Sequence, residues 1–135
     1  MGDAERVAQL ATQLGYPSTP QQVSARFARL LTDSEHVVYV AELGDGPVIG
    51  WVHVFVKQTA ESDPQAEIGG LVVDESHRER GVGKLLMSHA EQWARTRGLR
   101  SVYLRSNVIR KDAHTFYRSL GYRVVKTQTA FCRDL

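Results

Sequence analysis

The chain has 135 residues, of which 42% are hydrophobic, and this size and composition predict one compact domain over residues 1–135. Its formal net charge is only +2 and no block of lysines and arginines stands out, which argues against a nucleic-acid partner. No apolar run is long enough to cross a bilayer, and a single cysteine excludes an intrachain disulfide, so we expect a cytoplasmic protein with no membrane partner.

Two helices are predicted at the start of the chain. Apolar residues recur at helical spacing between positions 4 and 14, with Asp3 as the N-cap. A second helix opens at Thr19, which suits the N-cap, and Gln22 can complete a capping box with it. The apolar face of the second helix is predicted to consist of Val23, Phe27, Leu30 and Leu31.

Three strands are predicted to follow. Residues 36–43 and 47–56 flank the turn residues 44–46, and this arrangement is typical of a hairpin. Residues 57–65 are polar and are predicted to form a loop. The third strand is expected at 67–73.

The second half of the chain alternates helices and strands. Residues 81–97 carry one apolar stripe and are predicted to form the longest helix. A short strand at 101–105, a helix at 113–120 and two final strands at 122–126 and 129–132 are expected after it. The order ααβββαβαββ predicts an α/β (α+β) fold in which helices flank a mixed central sheet.

The segment between the third strand and the longest helix has the features of an anion site. Gly81 and Gly83 lie where the helix begins, and the first N–H groups of a helix lack internal acceptors and point outward. The helix dipole adds positive potential, and Arg78, Arg80 and Lys84 add charge. A basic turn that binds no ligand is the alternative.

Two other nucleotide motifs are excluded at this turn. A P-loop requires Ser or Thr after its lysine, but Leu85 follows Lys84. The dinucleotide fingerprint requires a third glycine at the position that Leu86 occupies.

The pattern Arg78-x-x-Gly81-x-Gly83 resembles the acetyl-CoA motif Gln/Arg-x-x-Gly-x-Gly/Ala of the GNAT superfamily, and the resemblance extends from about residue 36 to the end. It implies a GNAT-like fold, acetyl-CoA as co-substrate, and a pyrophosphate held by the backbone of the turn. The turn residues implied are Arg78, Glu79, Arg80, Gly81, Val82, Gly83 and Lys84.

The resemblance also implies a role for the strand before the turn. In the family this strand splays from its neighbour, and its backbone pairs with the pantetheine arm; the residues implied here are Leu71, Val72 and Val73. The N–H of Leu71 would then polarise the thioester carbonyl, where charge develops during attack.

The same resemblance supplies a candidate base and a candidate acid. Glu67 lies fourteen residues before Gly81, where some family members have a catalytic glutamate. The alternative is an ordinary strand-end carboxylate with a water chain as the base, since Gly69 and Gly70 stand where a second acidic residue is frequent. Tyr117 matches the family tyrosine that protonates the leaving thiolate, and its alternative is a core aromatic.

Two more cofactor contacts are implied, and each has a structural alternative. Asn107 matches a family asparagine that contacts the cofactor, and this contact is the favoured interpretation; the alternative is a turn residue after the strand. Phe116 is either a cofactor contact or a packing residue. No metal site is predicted, because the five histidines lack the paired spacing of metal ligands.

The expected reaction is acetyl transfer from acetyl-CoA to a primary amine, by direct attack in a ternary complex. Residues 106–117 and 129–135 are similar to bacterial aminoalkylphosphonate N-acetyltransferases, but this part mainly serves the cofactor and does not decide the substrate. A small-molecule amine, which includes the aminoglycosides, is the expected substrate. The acceptor site is expected between residues 16–31 and 57–65. A protein lysine or N-terminal acetyltransferase, and a non-catalytic acyl-CoA-binding module, remain alternatives.

The start of the chain departs from the family pattern. GNAT domains usually begin with a strand before the first helix, whereas here a helix is predicted within a few residues of Met1. Either the first edge strand is absent or truncated, or the true start of the chain lies upstream. An exposed sheet edge favours pairing between subunits, so a homodimer is expected.

Overall fold

The computed structural model describes residues 6–10 and 18–135, which divide into one compact unit ending at Leu104 and a second spanning Arg105–Leu135. No helix in the described part of the chain has both the length and the apolar character that crossing a bilayer requires. The elements are helical residues 6–10, α1 (Pro20–Leu30), β1 (His36–Glu42), β2 (Val48–Thr59), β3 (Ser62–Val73), a 3₁₀ turn (Glu75–His77), α2 (Val82–Thr96), β4 (Val102–Leu104) and α3 (Lys111–Ser119).

The four strands form one mixed sheet in the order β1-β2-β3-β4, which confirms the predicted fold class. The first three strands are antiparallel, and β3 pairs with β4 in parallel. The register between β2 and β3 shifts between His53 and Val54, so that Gly69 is an extra residue in β3. This bulge divides β3 into two halves with different surroundings.

Helices cover both faces of the sheet in the first unit. On one face, α2 buries four residues, and its side chains Val82 and Leu86 reach Gly50 of β2. On the other face, the helical residues 6–10 and α1 pack around Trp51. Successive side chains of a strand point to opposite faces, which is why neighbours such as Gly50 and Trp51 meet different helices.

Several local predictions for the helices are confirmed. Thr19 and Gln22 form the predicted capping box, and Val23 and Phe27 are buried. Leu31 is 66% exposed, so its predicted place in the apolar face was wrong: it lies at the C-cap, beyond the last full turn. The predicted cap Asp3 lies outside the described residues.

The predicted loop at 57–65 was wrong. Strand β2 continues to Thr59, and β3 begins at Ser62, so a two-residue turn joins them. Thr59 pairs with Ser62, and their hydroxyl oxygens lie 3.0 Å apart. Pro64 is compatible with β3 because β4 begins to pair only at Ala66, so the side toward β4 offers no ladder bond for the missing N–H to make.

The two predicted C-terminal strands were also wrong. Residues 122–135 contain neither helix nor strand, and Val124, Val125 and Phe131 are well exposed. A strand needs a neighbour to complete its ladder of hydrogen bonds. The second unit contains α3 and no strand, so high β-propensity finds no ladder partner within it.

Candidate active site

The half of β3 beyond the bulge has an open edge. Pairing between β3 and β4 ends at Ile68 and Leu104, whereas β3 continues to Val73. Over the remaining residues of β3, the strand register therefore provides hydrogen-bond partners from β2 alone. The predicted splaying of this strand from its neighbour corresponds to the end of the pairing between β3 and β4 at Ile68.

Alternation of the backbone identifies which groups face that open edge. The N–H of Asp74 donates to the carbonyl of Ile49 at 2.7 Å, and it therefore points toward β2. Val72 shares that orientation, whereas the N–H and C=O groups of Leu71 and Val73 point the opposite way. In agreement, Nε of Arg78 donates to the carbonyl of Val73 at 3.1 Å. Of the three predicted strand contacts, Leu71 and Val73 therefore direct their backbone groups to the open edge. Val72 directs its backbone groups to β2, and its side chain is buried.

Asp74 anchors the end of β3. It accepts hydrogen bonds from the backbone N–H of Ser76 at 3.2 Å and from its hydroxyl at 3.1 Å, and it forms an ion pair with Arg6. The backbone hydrogen bond from Ser76, together with Arg6, holds the pKa of Asp74 below its usual value. Arg6 also donates to the carbonyl of Val48 at 2.8 Å. The start of the turn is thus fixed to β2 and to the first helical segment.

The N-terminus of α2 presents unoccupied backbone donors. Gly81 is the N-cap with a positive φ of 82°, and no side chain caps this helix end. The N–H of Leu85 donates to the carbonyl of Gly81 at 3.0 Å. The N–H groups of Val82, Gly83 and Lys84 thus precede the first possible intrahelical bond, and they suit an anion such as pyrophosphate.

The residues around the start of α2 include one with an uncommon backbone conformation and three exposed cations. Glu79 adopts a positive φ of 65°, which is uncommon for a residue other than glycine. Arg78, Arg80 and Lys84 are exposed on the surface. The seven residues predicted from the sequence thus form one continuous segment that comprises the turn and the first three residues of α2 and carries both the uncapped donors and the cations.

Glu67 lies on β3 just before the bulge. Its side chain is only 13% exposed, and Oε1 lies 3.5 Å from Nζ of Lys57. Lys57 also lies 5.6 Å from the centre of the Tyr103 ring. Because Lys57 belongs to β2 and not to a loop, it holds this carboxylate at a defined position on one face of the sheet.

A pair of histidines, absent from the sequence prediction, lies on the same face. Nδ1 of His36 lies 2.9 Å from Nε2 of His53, and both rings stack on Phe55. A Cβ atom on Gly69 would lie 2.5 Å from Nδ1 of His53, so a side chain at the bulge would displace the imidazole. These histidines are seventeen residues apart and form no motif. Only the register of the hairpin reveals that they meet.

In the second unit, Tyr117 is partly buried against two other rings. Its centroid lies 5.2 Å from that of Phe116 and 6.0 Å from that of Tyr122. Burial raises the pKa of Tyr117, and the charge of Arg110 offsets part of that rise. The phenol is therefore protonated at neutral pH and can act as a proton donor.

Asn107 stabilises a turn, which was the structural alternative to a contact with the cofactor. Its side-chain oxygen accepts from the N–H of Ile109 at 3.1 Å, and its carbonyl accepts from the N–H of Arg110 at 3.0 Å. These bonds lead the chain into α3. Within residues 6–10 and 18–135, no group of three or more His, Cys, Asp or Glu side chains is placed to hold a metal ion.

Comparison with known proteins gives one family. Residues 4–122 match the model of the acetyltransferase (GNAT) family. The aminoalkylphosphonate N-acetyltransferase of Salmonella typhimurium is 33% identical over 97 residues, which are 71% of this chain and 62% of that protein. The aminoglycoside N(6')-acetyltransferase type 1 of Stenotrophomonas maltophilia is 29% identical over 96 residues, which are 68% of this chain and 63% of that protein. The chain thus spans less than two thirds of the length of these curated relatives.

Solved structures share the fold. AAC(6')-Iy in complex with the bisubstrate analog CoA-S-monomethyl-acetylneamine superposes with a TM-score of 0.85 at 20% identity, covering 99% of this chain and 93% of that one. Glucosamine-6-phosphate N-acetyltransferase from Arabidopsis thaliana gives a TM-score of 0.80 at 20% identity, covering 96% and 90% of the two chains.

Proposed function

The chain belongs to the acetyltransferase (GNAT) family, and on this premise we propose that it transfers the acetyl group of acetyl-CoA to a primary amine of a small molecule. One observation carries the proposal: the open edge of β3 leads directly into a turn with uncapped helix N–H groups. The open edge of β3 and the turn together form one path, in which the helix end suits a pyrophosphate and the strand edge suits an extended amide-containing chain.

The residues of this path have distinct tasks in binding acetyl-CoA. The N–H groups of Val82, Gly83 and Lys84 hold the pyrophosphate, because they have no acceptor within the helix. The backbone groups of Leu71 and Val73 pair with the pantetheine arm as a strand would. The N–H of Leu71, nearer the bulge, is the donor for the thioester oxygen.

The chemistry follows from a proton balance. An amine enters as an ammonium ion and leaves as an amide, so its nitrogen loses two protons, of which one ends on the coenzyme sulfur and one reaches solvent. Glu67 accepts a proton from the nitrogen, and Tyr117 donates one to the departing thiolate. The nitrogen attacks the thioester carbon directly in a ternary complex, which predicts sequential kinetics.

Relatives favour a small amine as the acceptor. Two of them bear names that specify aminoglycosides and aminoalkylphosphonates, and both classes of compound carry primary amines. A tight hairpin joins β2 and β3 where the sequence predicts a loop for the acceptor site. The single cysteine keeps the cytoplasm as the proposed location.

The experiment that tests the proposal is the release of coenzyme A thiol from acetyl-CoA in the presence of a panel of amines. The panel contains aminoglycosides, aminoalkylphosphonates, other small primary amines and lysine peptides. Release that depends on a small amine supports the proposal, and release with peptides alone contradicts the proposed substrate class. Binding of acetyl-CoA without release by any amine would identify an acyl-CoA-binding module.

The base is tested by Glu67→Gln, which keeps the size of the side chain and removes its charge. We expect kcat/KM for the amine to fall about 10²-fold near neutral pH, because the ammonium must still lose a proton. The deficit should shrink at high pH, where more of the amine is already neutral. Glu42→Gln, an exposed carboxylate at the end of β1, is the matched control. A deficit that is constant with pH would assign Glu67 to electrostatic binding of the substrate cation.

The proposal includes a homodimer built on the edge of the sheet. Strand β1 lies at one end of the four-stranded order, and Val40 on it is 36% exposed. A second copy can continue the sheet along this edge. We expect sedimentation equilibrium to give twice the chain mass, and Val40→Lys to shift the mass toward the monomer. A monomer at all concentrations contradicts this part of the proposal.

A further inference from the structure

The histidine pair on β1 and β2 is not used by the reaction described above, yet it lies beside the bulge where the reaction is placed. Nδ1 of His53 faces Gly69, and Nε2 of the same ring contacts Nδ1 of His36 at 2.9 Å. Nε2 of His36 lies 3.7 Å from Oδ2 of Asp33, within ion-pair range. Three titratable groups therefore form a continuous line.

The line runs from the interior of the site to solvent. The Asp33 side chain is 51% exposed and that of His36 is 24% exposed. His53 is partly buried, and the missing side chain of Gly69 leaves the space that its imidazole occupies. The line thus begins at the bulge of β3 and ends at the surface.

Resting on the proposed function, we propose that His53, His36 and Asp33 form a relay that carries the released ammonium proton from the site to solvent. Glu67 takes this proton from the ammonium and returns to its carboxylate form by passing it on to Nδ1 of His53. The Nε2–H bond of His53 breaks at the same time, and that proton passes to Nδ1 of His36. Nε2 of His36 then gives up its own hydrogen toward Asp33 and bulk water. One proton enters and one leaves, so the charge balance of acetyl transfer is met. Exchange of the ring hydrogens with water restores the starting tautomers.

The protonation state of His53 at neutral pH suits this role. Burial, together with the positive charge that His36 can carry, lowers the pKa of His53 from 6.5 to about 4. The ring is therefore neutral above about pH 4 and offers a lone pair, and it loses this capacity below that pH. On the same face, Glu67 lies opposite Phe55, and Lys57 lies two residues further along β2.

Apolar side chains pack on the same face of the sheet as the histidine pair. The helix α1 contributes the buried side chains Val23 and Phe27 to this side of the sheet. Phe55 stacks on both imidazoles and keeps them aligned. The apolar surroundings shield the bond between the two histidines from competing water.

The kinetic test uses His53→Gln, which keeps a hydrogen-bonding group near His36 and removes the titrating ring. We expect kcat/KM for the amine to fall about 10²-fold near neutral pH, while the Kd for acetyl-CoA stays unchanged. His36→Gln should show a smaller deficit of about tenfold, and both deficits should shrink at high pH. His89→Gln is the matched control, because His89 is an exposed histidine on α2. A wild-type rate in His53→Gln would overturn the relay.

A second measurement is independent of turnover. Nitrogen NMR of the histidine rings in the intact chain reports which nitrogen of His53 carries the hydrogen. The relay requires hydrogen on Nε2 and a bare Nδ1 at neutral pH, and in His36→Gln the pKa of His53 should rise, because a neighbouring positive charge is lost. Hydrogen on Nδ1 of neutral His53 would contradict the relay even if the variants were inactive.

The two proposals fail in different ways. If wild-type protein releases no thiol with any amine, the proposed function fails, and the NMR measurement still decides the tautomer of His53. If wild-type protein turns over and His53→Gln does so equally well, the relay alone fails.

Discussion

Gly83→Glu should abolish the binding of acetyl-CoA. Gly83 is the second residue of α2, where its N–H and those of its neighbours point out of the helix end. A carboxylate there occupies the space of the pyrophosphate and repels its charge. Two like charges 4 Å apart at an effective dielectric constant of about 20 cost about 4 kcal/mol, so we expect Kd to rise at least about 10²-fold.

The variant is informative because it is not expected to unfold. A negative charge in the first turn of a helix interacts favourably with the helix dipole. Gln92→Glu places the same carboxylate on an exposed position of the same helix and serves as the control. Isothermal titration calorimetry should give wild-type affinity for Gln92→Glu and no measurable binding for Gly83→Glu. Equal affinity in the two variants would show that the pyrophosphate does not bind at this turn.

Tyr117→Phe should lower kcat by about 10²–10⁴-fold, the usual range for general acid catalysis. The change removes one oxygen atom and leaves the ring that packs against Phe116. The KM for acetyl-CoA should change little, because the hydroxyl acts only when the thiolate departs. Steady-state kinetics of thiol release measures both constants.

Tyr122→Phe is the matched control, since it removes the same atom from the neighbouring ring 6.0 Å away. A kcat for Tyr117→Phe within about twofold of wild type would assign Tyr117 to packing. Because burial raises the pKa of Tyr117, the acid form persists as pH rises through 10.0, and its rate contribution should be lost only above that value.

The features of the fold and of the site that depend on neighbours in sequence were predictable. Thr19 and Gln22 specify a helix start within four residues, and the structure has that capping box. Gly81 and Gly83 likewise mark the start of α2, since the N-cap needs the positive φ that glycine adopts readily. Each of these features is decided by a few consecutive residues.

Features that depend on pairing between distant residues were not predictable. The polar segment 57–65 reads as a loop because its composition is that of exposed residues, yet β2 and β3 support each other as a hairpin there. Val124 and Val125 show the opposite case, a predicted strand that does not form. Their β-propensity is high, but the second unit contains no strand with which they could pair. Propensity decides a strand only where a partner is present.

The histidine pair illustrates the same limit within the candidate site. His36 and His53 meet because the hairpin pairs His36 with Phe55 and places His53 one step along the same face. The glycine at position 69 is explained only when the imidazole that occupies its side-chain space is known. The sequence shows that Gly69 stands where an acidic residue is frequent, but it does not show that the imidazole of His53 fills the space of the missing side chain.

A crystal structure of the chain with acetyl-CoA would show directly where the cofactor binds. We expect pyrophosphate oxygens within hydrogen-bond distance of the N–H groups of Val82, Gly83 and Lys84. We also expect the pantetheine arm along the open edge of β3, with the thioester oxygen at the N–H of Leu71. Acetyl-CoA bound elsewhere, with the start of α2 and this edge of β3 free of it, would contradict the proposed binding site.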